Sequence, residues 1–252
     1  MDWSSLLILI SIGAASGLFG ALLGVGGGLL VIPVLHLVFD LPMPLAIGTS
    51  LVSVVLTTLV ASRSYLARGL VDLPAATHLA FGSLIGAYVG SHLIVRVPET
   101  VLSVAFSAVV LTAAWRLAFR RRRDAEATAG APSGIRRRAT AFLLSPFAGA
   151  LAGLLGVGGG FLQLPLLRLI SELDLRQVIA TNALIVTWIA SVASAVHWSQ
   201  GHVVGSILPP LLAGSALGAL AGPAALMGIP QRRVELLLGT VLAVVALRML
   251  WR

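Results

Sequence analysis

The sequence Gly24-Val-Gly-Gly-Gly28 interrupts an apolar run that extends from residue 3 to residue 39, and it occurs again as Gly156-Val-Gly-Gly-Gly160. Adjacent glycines inside a helix cost about 1 kcal/mol each relative to alanine, so both stretches predict a break in a helix. The helix after each break begins with unpaired N–H groups at the positive end of its dipole. Such a helix start binds anions readily, and the two breaks are therefore candidate anion sites.

The composition is that of a polytopic membrane protein. Of the 252 residues, 58% are hydrophobic and 10% are charged, and the mean hydropathy is +1.02, whereas soluble domains carry about 25% charge. Several apolar runs exceed the ~18 residues that predict a spanning helix. The first run has no basic segment before it, so we interpret it as mature structure rather than a signal peptide.

The types of residue present exclude several functions. Cysteine is absent, which removes disulfides, thiolate metal ligands and cysteine catalysis. All 17 basic residues are arginine, and the net charge of +8 is concentrated in predicted loops, which indicates the cytoplasmic side of a membrane rather than a nucleic-acid partner. No cofactor or metal ion is predicted, since no two histidines have metal-ligand spacing and no Walker motif occurs.

A constant offset of 132 residues relates the two halves of the chain. Identical residues recur at this offset, without any gap, across a stretch of about 100 positions. Examples are Gly24/Gly156, Pro33/Pro165, Thr49/Thr181, Gly69/Gly201, Gly86/Gly218 and Pro98/Pro230. The chain is predicted to contain a first membrane repeat (1–119), a basic cytoplasmic linker (120–138) and a second membrane repeat (139–252), which together form one membrane domain.

Local signals place the helices of the first repeat. A spanning helix is expected over residues 45–66, and Asp72 followed by Pro74 predicts the start of the next helix. Gly82, Gly86 and Gly90 form a small-residue stripe at i+4 spacing on that helix. Such a stripe predicts that another helix approaches it closely.

The number of crossings per repeat decides how the repeats are related. If the broken segment crosses once, each repeat crosses four times and the repeats are parallel; if it is a re-entrant hairpin, each crosses three times and they are inverted. With the linker inside, the inverted arrangement places 14 arginines inside and 3 outside, and the parallel one 12 and 5. We therefore predict an all-α membrane protein of two inverted repeats, each with a glycine-broken re-entrant hairpin and three spanning helices.

Inverted repeats with broken helices place the substrate near the midplane, where the N-termini of half-helices meet. The backbone groups expected to bind an anion there belong to Gly26, Gly27, Gly28, Gly158, Gly159 and Gly160. The alternative is that these glycines only allow tight helix contact, but packing glycines usually recur at i+4 spacing rather than in a run.

Polar side chains near the breaks are expected to complete the site. Thr49 and Ser50, and the equivalent Thr181 and Asn182, follow each hairpin and can donate to an oxyanion. Alternatively, the hydroxyls bond a carbonyl one turn earlier. Gln163 follows the second break by three residues and is either a further ligand or the partner in an interhelical hydrogen bond.

The ionisable residues of the spans are interpreted first as structural. His78, His92 and His197 are expected to be packed and hydrogen-bonded, with proton coupling as the alternative. Arg63 and Arg68 are expected to anchor a helix end at the interface, although Arg63 could also attract an anion at the inner mouth. No acidic residue lies deep in a predicted span, which argues against cation transport and carboxylate proton relays.

The doubled motif Gly-Val-Gly-Gly-Gly-x-Leu-x-x-Pro at 24–33 and 156–165 resembles the sulfite exporter TauE/SafE family, also called the toluene sulfonate uptake permeases. The stretches 48–51, 180–183 and 68–72 add to a resemblance that covers nearly the whole chain. The two repeats differ at two of these places. Asn182 stands where the first repeat has Ser50, and residues 201–204 contain no acidic residue to match Asp72. The resemblance implies transport of sulfite or organosulfonates across a bacterial inner membrane, in either direction.

These observations predict a secondary transporter in which one repeat rocks against the other, driven by the proton or substrate gradient. Its partners would be a small anion, the proton as a candidate coupling ion, and membrane lipid, and both a monomer and a homodimer are compatible. One alternative is a transporter of a different anion, such as sulfate or a carboxylate. The other is a membrane-embedded enzyme, but neither Gly-x-Ser-x-Gly nor His-Glu-x-x-His occurs, and no catalytic residue is assigned.

Overall fold

A computed structural model of the chain describes residues 2–119, 135–171, 173–228 and eight positions between 239 and 249. The predicted linker lies outside the described residues over 120–134, as does much of the last predicted helix, from 229 to 238 and at scattered positions beyond. The described helices include α1 Trp3–Leu23, α2 Gly28–Leu37, α3 Met43–Ala67, α4 Leu73–Leu93, α5 Glu99–Phe119, α6 Ile135–Leu155, α7 Gly160–Ile170, α8 Leu175–Ser199 and α9 Leu208–Gly228.

Six of these helices are long and apolar enough to cross a membrane, namely α1, α3, α4, α6, α8 and α9. The prediction of an all-α polytopic membrane protein is confirmed at this level. The two broken runs are asymmetric, because α1 and α6 have 21 residues each whereas α2 and α7 have 10 and 11. The first arm of each run is therefore long enough to span by itself, which the sequence did not predict.

Each break is a tight reversal of the chain, and we name residues 24–28 the first bend and 156–160 the second bend. In the first bend Gly24, Gly26 and Gly27 have φ values of 65°, 92° and 83°, a left-handed region that residues with a Cβ rarely adopt. The backbone at Gly27 packs against the carbonyl of Ser16, so α2 starts beside α1 instead of continuing it. In the second bend three glycines likewise have φ values from 68° to 71°.

The equivalent helices α3 and α8 pack against each other and run antiparallel. Thr49, near the start of α3, accepts a hydrogen bond from the N–H of Val204, which follows α8, at 3.0 Å. Thr181, near the start of α8, accepts one from the N–H of Asp72, which follows α3, also at 3.0 Å. We call these two places the Thr49 end and the Thr181 end of the bundle.

Each outer helix packs against an outer helix of the other repeat. Gly86 of α4 packs against the carbonyl of Pro146 on α6, and Gly218 of α9 packs against that of Ala14 on α1. In both pairs the contacts advance in the same direction along the two chains, so the helices are parallel. The close approach predicted for the stripe on α4 is confirmed, and its partner is a helix of the other repeat.

Side chains cap α4 and α8 where these helices begin at the Thr181 end. The carboxylate of Asp72 accepts from the N–H of Ala75 at 2.9 Å, as the sequence predicted for the start of α4. Asp174 accepts from the N–H of Gln177 at 2.7 Å, and the Gln177 side chain accepts from the N–H of Asp174 at 3.1 Å. This capping box satisfies two helix-end donors at the start of α8.

Gly86→Ala is expected to lower the midpoint of thermal unfolding in detergent, because a Cβ there would overlap the Pro146 carbonyl and force α4 away from α6. The cost expected for such overpacking is about 1–3 kcal/mol. Gly205→Ala is the matched control, since nothing lies within 4 Å of a Cβ built there. Equal midpoints for the two variants would contradict this packing.

Candidate functional site

The two bends touch each other in the interior of the protein. A Cβ built at Gly28 would lie 2.5 Å from the carbonyl oxygen of Gly156, and one built at Gly160 would lie 2.9 Å from that of Gly24. These two contacts are equivalent under the 132-residue offset, and all four glycines are buried. The bends, which are far apart in sequence, therefore form one structure.

Several backbone donors of the bends are unpaired. The N–H groups of Gly27, Gly28, Gly158, Gly159 and Gly160 donate no hydrogen bond to another backbone group of the described residues, and no side chain there accepts from them. An unpaired buried donor costs about 1–3 kcal/mol. Gly26 differs, because its N–H donates to the carbonyl of Gly20 at 3.4 Å. The first turns of α2 and α7 thus present a cluster of free donors in an apolar interior.

Two valines fill the space beside this cluster. Val54 and Val186 occupy equivalent positions on α3 and α8 and are fully buried. A Cβ at Gly26 would lie 2.5 Å from a Val54 methyl, and a Cβ at Gly158 would lie 2.9 Å from a Val186 methyl. The two valines therefore pack tightly against the bends in this conformation, and a ligand needs them to move away from the bends to reach the donors.

Asn182 links the two bends directly. Its Nδ2 atom donates to the carbonyl of Gly24 at 2.7 Å and to that of Gly160 at 2.9 Å. One side chain thus joins the end of α1 to the start of α7. Its Oδ1 atom is buried without a hydrogen-bond partner among the described residues.

Ser50 occupies the equivalent position in the first repeat but is too short to form the same link. Its hydroxyl lies 3.3 Å from a Cβ built at Gly28, at the start of α2. Ser50 is fully buried, and its Oγ has no hydrogen-bond partner in the described part of the chain. A buried hydroxyl without a partner among the described residues therefore lies beside the start of α2.

Thr49 and Thr181 do not join this group. Successive residues of a helix point about 100° apart, so Thr49 faces the loop at one end of the bundle while Ser50 faces the bend. Thr181 is separated from Asn182 in the same way and faces the opposite end. Of the four residues predicted to act together, the structure brings only Ser50 and Asn182 to the bends.

Gln163 connects α7 to α4. Its Nε2 atom donates to the hydroxyl of Ser83 at 2.6 Å. The carbonyls of Leu79 and Ser145 lie 2.7 Å and 3.1 Å from that hydroxyl and share its one hydrogen. This is the interhelical hydrogen bond that the sequence offered as an alternative. The Oε1 atom of Gln163 is buried and unpartnered within the described residues.

Sequence reasoning missed a pair of equivalent clamps on the long arms of the bends. The hydroxyl of Tyr65 on α3 donates to the carbonyl of Ala21 at 2.8 Å. The Nε2 atom of His197 on α8 lies 3.0 Å from the carbonyl of Gly153. The 132-residue offset relates both partners, since it pairs Tyr65 with His197 and Ala21 with Gly153. That offset was the available signal, but the two side chains differ in type.

The charged groups lie away from the bends. The described acidic residues are at helix starts or in loops, namely Asp2, Asp40, Asp72, Glu99 and Asp174. Arg68 donates to the carbonyl of Pro223 at 2.9 Å, as expected for an anchor at a helix end. Among the described residues, no three histidines or carboxylates are grouped as metal ligands. No described acidic group would therefore repel an anion at the bends.

A cavity opens at the Thr181 end. Its volume is about 410 Å³, and it is lined by residues 69–74 with Leu173 and Gln177. Asp72, which bonds Thr181, belongs to its wall. The cavity is large enough for a small solute with its hydration water.

Comparison with known proteins assigns this architecture to a known group. A family model described as Sulfite exporter TauE/SafE matches residues 9–249. The probable membrane transporter protein YunE of Bacillus subtilis is 25% identical over 98% of this chain and 98% of its own length. A probable membrane transporter protein of Xylella fastidiosa is 26% identical over 100% of this chain and 97% of its own. No solved structure matches the chain.

Asn182→Ala is expected to destabilise the protein by about 2–4 kcal/mol, because two buried carbonyls lose their donor and a small cavity remains. Ser50→Ala, at the equivalent position, is expected to cause no loss of stability, since it removes a buried hydroxyl that has no partner among the described residues. Unfolding by SDS titration of the detergent-solubilised protein measures both. An equal loss in the two variants would show that the Asn182 hydrogen bonds do not hold the bends.

Proposed function

Because the chain belongs to the sulfite exporter TauE/SafE family, we propose that this multi-pass membrane transporter carries a small sulfur-containing anion, of the sulfite or organosulfonate class, across the bacterial inner membrane. Transport would proceed by alternating access. No step requires the chemistry of an enzyme or the hydrolysis of ATP.

The observation that carries the proposal is the group of unpaired N–H donors where the two bends meet. The donors of Gly27, Gly28 and the second bend replace the water around a small anion, and the Ser50 hydroxyl adds one hydrogen bond. Helix N-termini favour negative charge, and this preference is strongest where water is excluded. Unpaired buried donors raise the free energy of the empty protein, and hydrogen bonds to an anion are expected to lower it.

The two repeats would be inverted across the membrane. The antiparallel packing of α3 and α8 supports this arrangement, because equivalent helices of parallel repeats would run in the same direction. The Thr181 end would face the cytoplasm, since α6, which follows the arginine-rich linker, begins there beside α4.

The units that move would be the pairs α1–α9 and α4–α6 rather than the sequence repeats. Glycine-mediated backbone contact joins the helices of each pair, and each pair contains one helix from each repeat. A shift of one pair against the other would open the Thr49 end or the Thr181 end in turn, and would move Val54 and Val186 off the bends. The cavity near Asp72 would be the cytoplasmic vestibule.

Ser50→Ala is expected to raise the Kd for the transported anion about tenfold, because one hydrogen bond to a charged group is lost. Alanine at Gly27 would be a poor test, since its φ of 83° would strain the fold itself. Ser107→Ala is the matched control, because it also removes a buried, unpartnered hydroxyl but lies on α5. Calorimetry with sulfite and methanesulfonate measures the affinities, and a wild-type Kd for Ser50→Ala would exclude the serine from the site.

Purified protein in liposomes is expected to exchange sulfite or methanesulfonate, and Ser50→Ala is expected to raise the concentration needed for half-maximal exchange. Sulfate and acetate serve as competitors that identify the class of anion. Stronger competition by either of them than by the sulfur compounds would favour the alternative transporter. Exchange no faster than in protein-free liposomes would contradict the function.

A further inference from the structure

We propose that His197 and His202 form a proton-binding site that opens the Thr49 end of the transporter when the solution at that end is acidic. This inference rests on the proposed transport function and adds to it a gate that responds to pH and the place where the proton binds.

His197 holds the second bend through its ring. Its Nε2 atom faces the carbonyl of Gly153 at 3.0 Å, and because a carbonyl can only accept, Nε2 carries the hydrogen. Gly153 is three residues before Gly156, where the second bend begins. The Nδ1 atom is thereby left as an acceptor, and it is buried without a partner among the described residues.

His202 lies in the loop that closes the Thr49 end. Its ring centre is 5.5 Å from that of His197, and its Nδ1 atom is likewise buried and unpartnered within the described chain. The carbonyl of His202 packs on Gly48 of α3, and two residues later the loop donates to Thr49. A charge placed on this pair would therefore act directly on the contact that closes the entrance.

Among the described residues, no carboxylate acts electrostatically on either ring. The further titratable group that faces His197 is His92, at the end of α4. The helix α6 meets the pair with Gly153 and α3 meets it with Gly48, and neither residue ionises. Burial lowers the pKa of His202, so the neutral ring fits the closed arrangement. Protonation would add an unbalanced charge and an unpaired N–H donor.

The direction of the coupling follows from this difference. A ring that meets water when the loop has moved away binds a proton with a pKa near the ordinary histidine value of about 6.5. Since the open arrangement binds the proton more tightly, acidification at this end shifts the population towards it. The closed arrangement is favoured at high pH and loses that advantage as the pH falls.

The Thr181 end has the equivalent clamp, but the side chain there does not bind a proton near neutral pH. Tyr65 replaces His197 there and donates to the carbonyl of Ala21 at 2.8 Å, and Leu70 replaces His202. A tyrosine supplies the same hydrogen bond but takes up no proton between about pH 5 and pH 8. Of these two equivalent closures, the one at the Thr49 end is therefore sensitive to pH, and the one at the Thr181 end is not.

The test uses the residues that the protein itself has at the other end. His197→Tyr is expected to preserve the clamp and remove the proton site, and His202→Leu removes the second ring. Because the chain has no cysteine, Ile47→Cys gives a single reporter. Ile47 is fully buried against the second bend near the Thr49 end, so its thiol reacts with a polar methanethiosulfonate reagent only when that end opens.

The labelling rate of Ile47→Cys is measured at about pH 7.5 and about pH 5.5. The ratio of the rate at low pH to the rate at high pH is expected to be about tenfold larger with His197 present than in the His197→Tyr background. The ionisation of the thiol also changes with pH, but it does so in both backgrounds and cancels when they are compared. A smaller pH effect in His202→Leu is also expected and carries the test if His197→Tyr does not fold. Ile179→Cys, the equivalent position at the other end, should respond equally in both backgrounds.

Identical pH dependence of Ile47→Cys labelling with and without the histidines would overturn the proposal and leave His197 as a clamp only. The labelling needs no transported anion, so this failure is separate from a failure of the transport function. In liposomes, an inward or outward pH gradient should change methanesulfonate flux in wild type, whereas His197→Tyr should retain exchange without that dependence. Loss of exchange in wild type would instead count against the transport function.

Discussion

The structure depends on two pieces of unpaired backbone that are kept in contact inside an apolar bundle. Free N–H groups are costly there, and only glycine can form such sharp reversals at positive φ. The surrounding helices hold this arrangement in place: α3 and α8 cross beside it, and Asn182 joins its two parts. Under the proposed function an anion would offset the cost of the bends, because it would accept hydrogen bonds from the N–H groups that are otherwise unsatisfied.

The exchange of helices between the repeats connects this centre to both ends of the protein. Small residues let α1 pack on α9 and α4 pack on α6, so neither repeat is an independent body. Equivalent threonines then close the two ends by the same hydrogen bond. Among the positions that contact the bends or their long arms, two differ in chemical type between the repeats: Asn182 is opposite Ser50, and His197 is opposite Tyr65. These positions are where the two ends of a transport cycle can differ.

Much of the architecture could be predicted because it follows from spacing. Apolar run length gave the spanning helices, glycine runs gave the bends, and Asp72 with Pro74 gave the start of α4. The contacts of the candidate site were harder to predict from the sequence. Neighbours in sequence such as Thr49 and Ser50 were treated as one unit, but the helical rotation separates them. The partners of Gln163 and Asn182 lie 80 and 158 residues away from them in the chain, and no local pattern encodes such contacts.

The sequence alone determined that this is a helical membrane protein of two related halves, each broken by a run of glycines. These properties depend on hydrophobicity, repeat offset and backbone freedom, which are local. The meeting of the bends was predicted, but only the tertiary structure decided how closely they pack, that each outer helix pairs with one of the other repeat, and that His197 and Tyr65 are equivalent clamps. Those facts depend on which surfaces meet when α3 and α8 cross, and that choice is made by packing over the whole bundle.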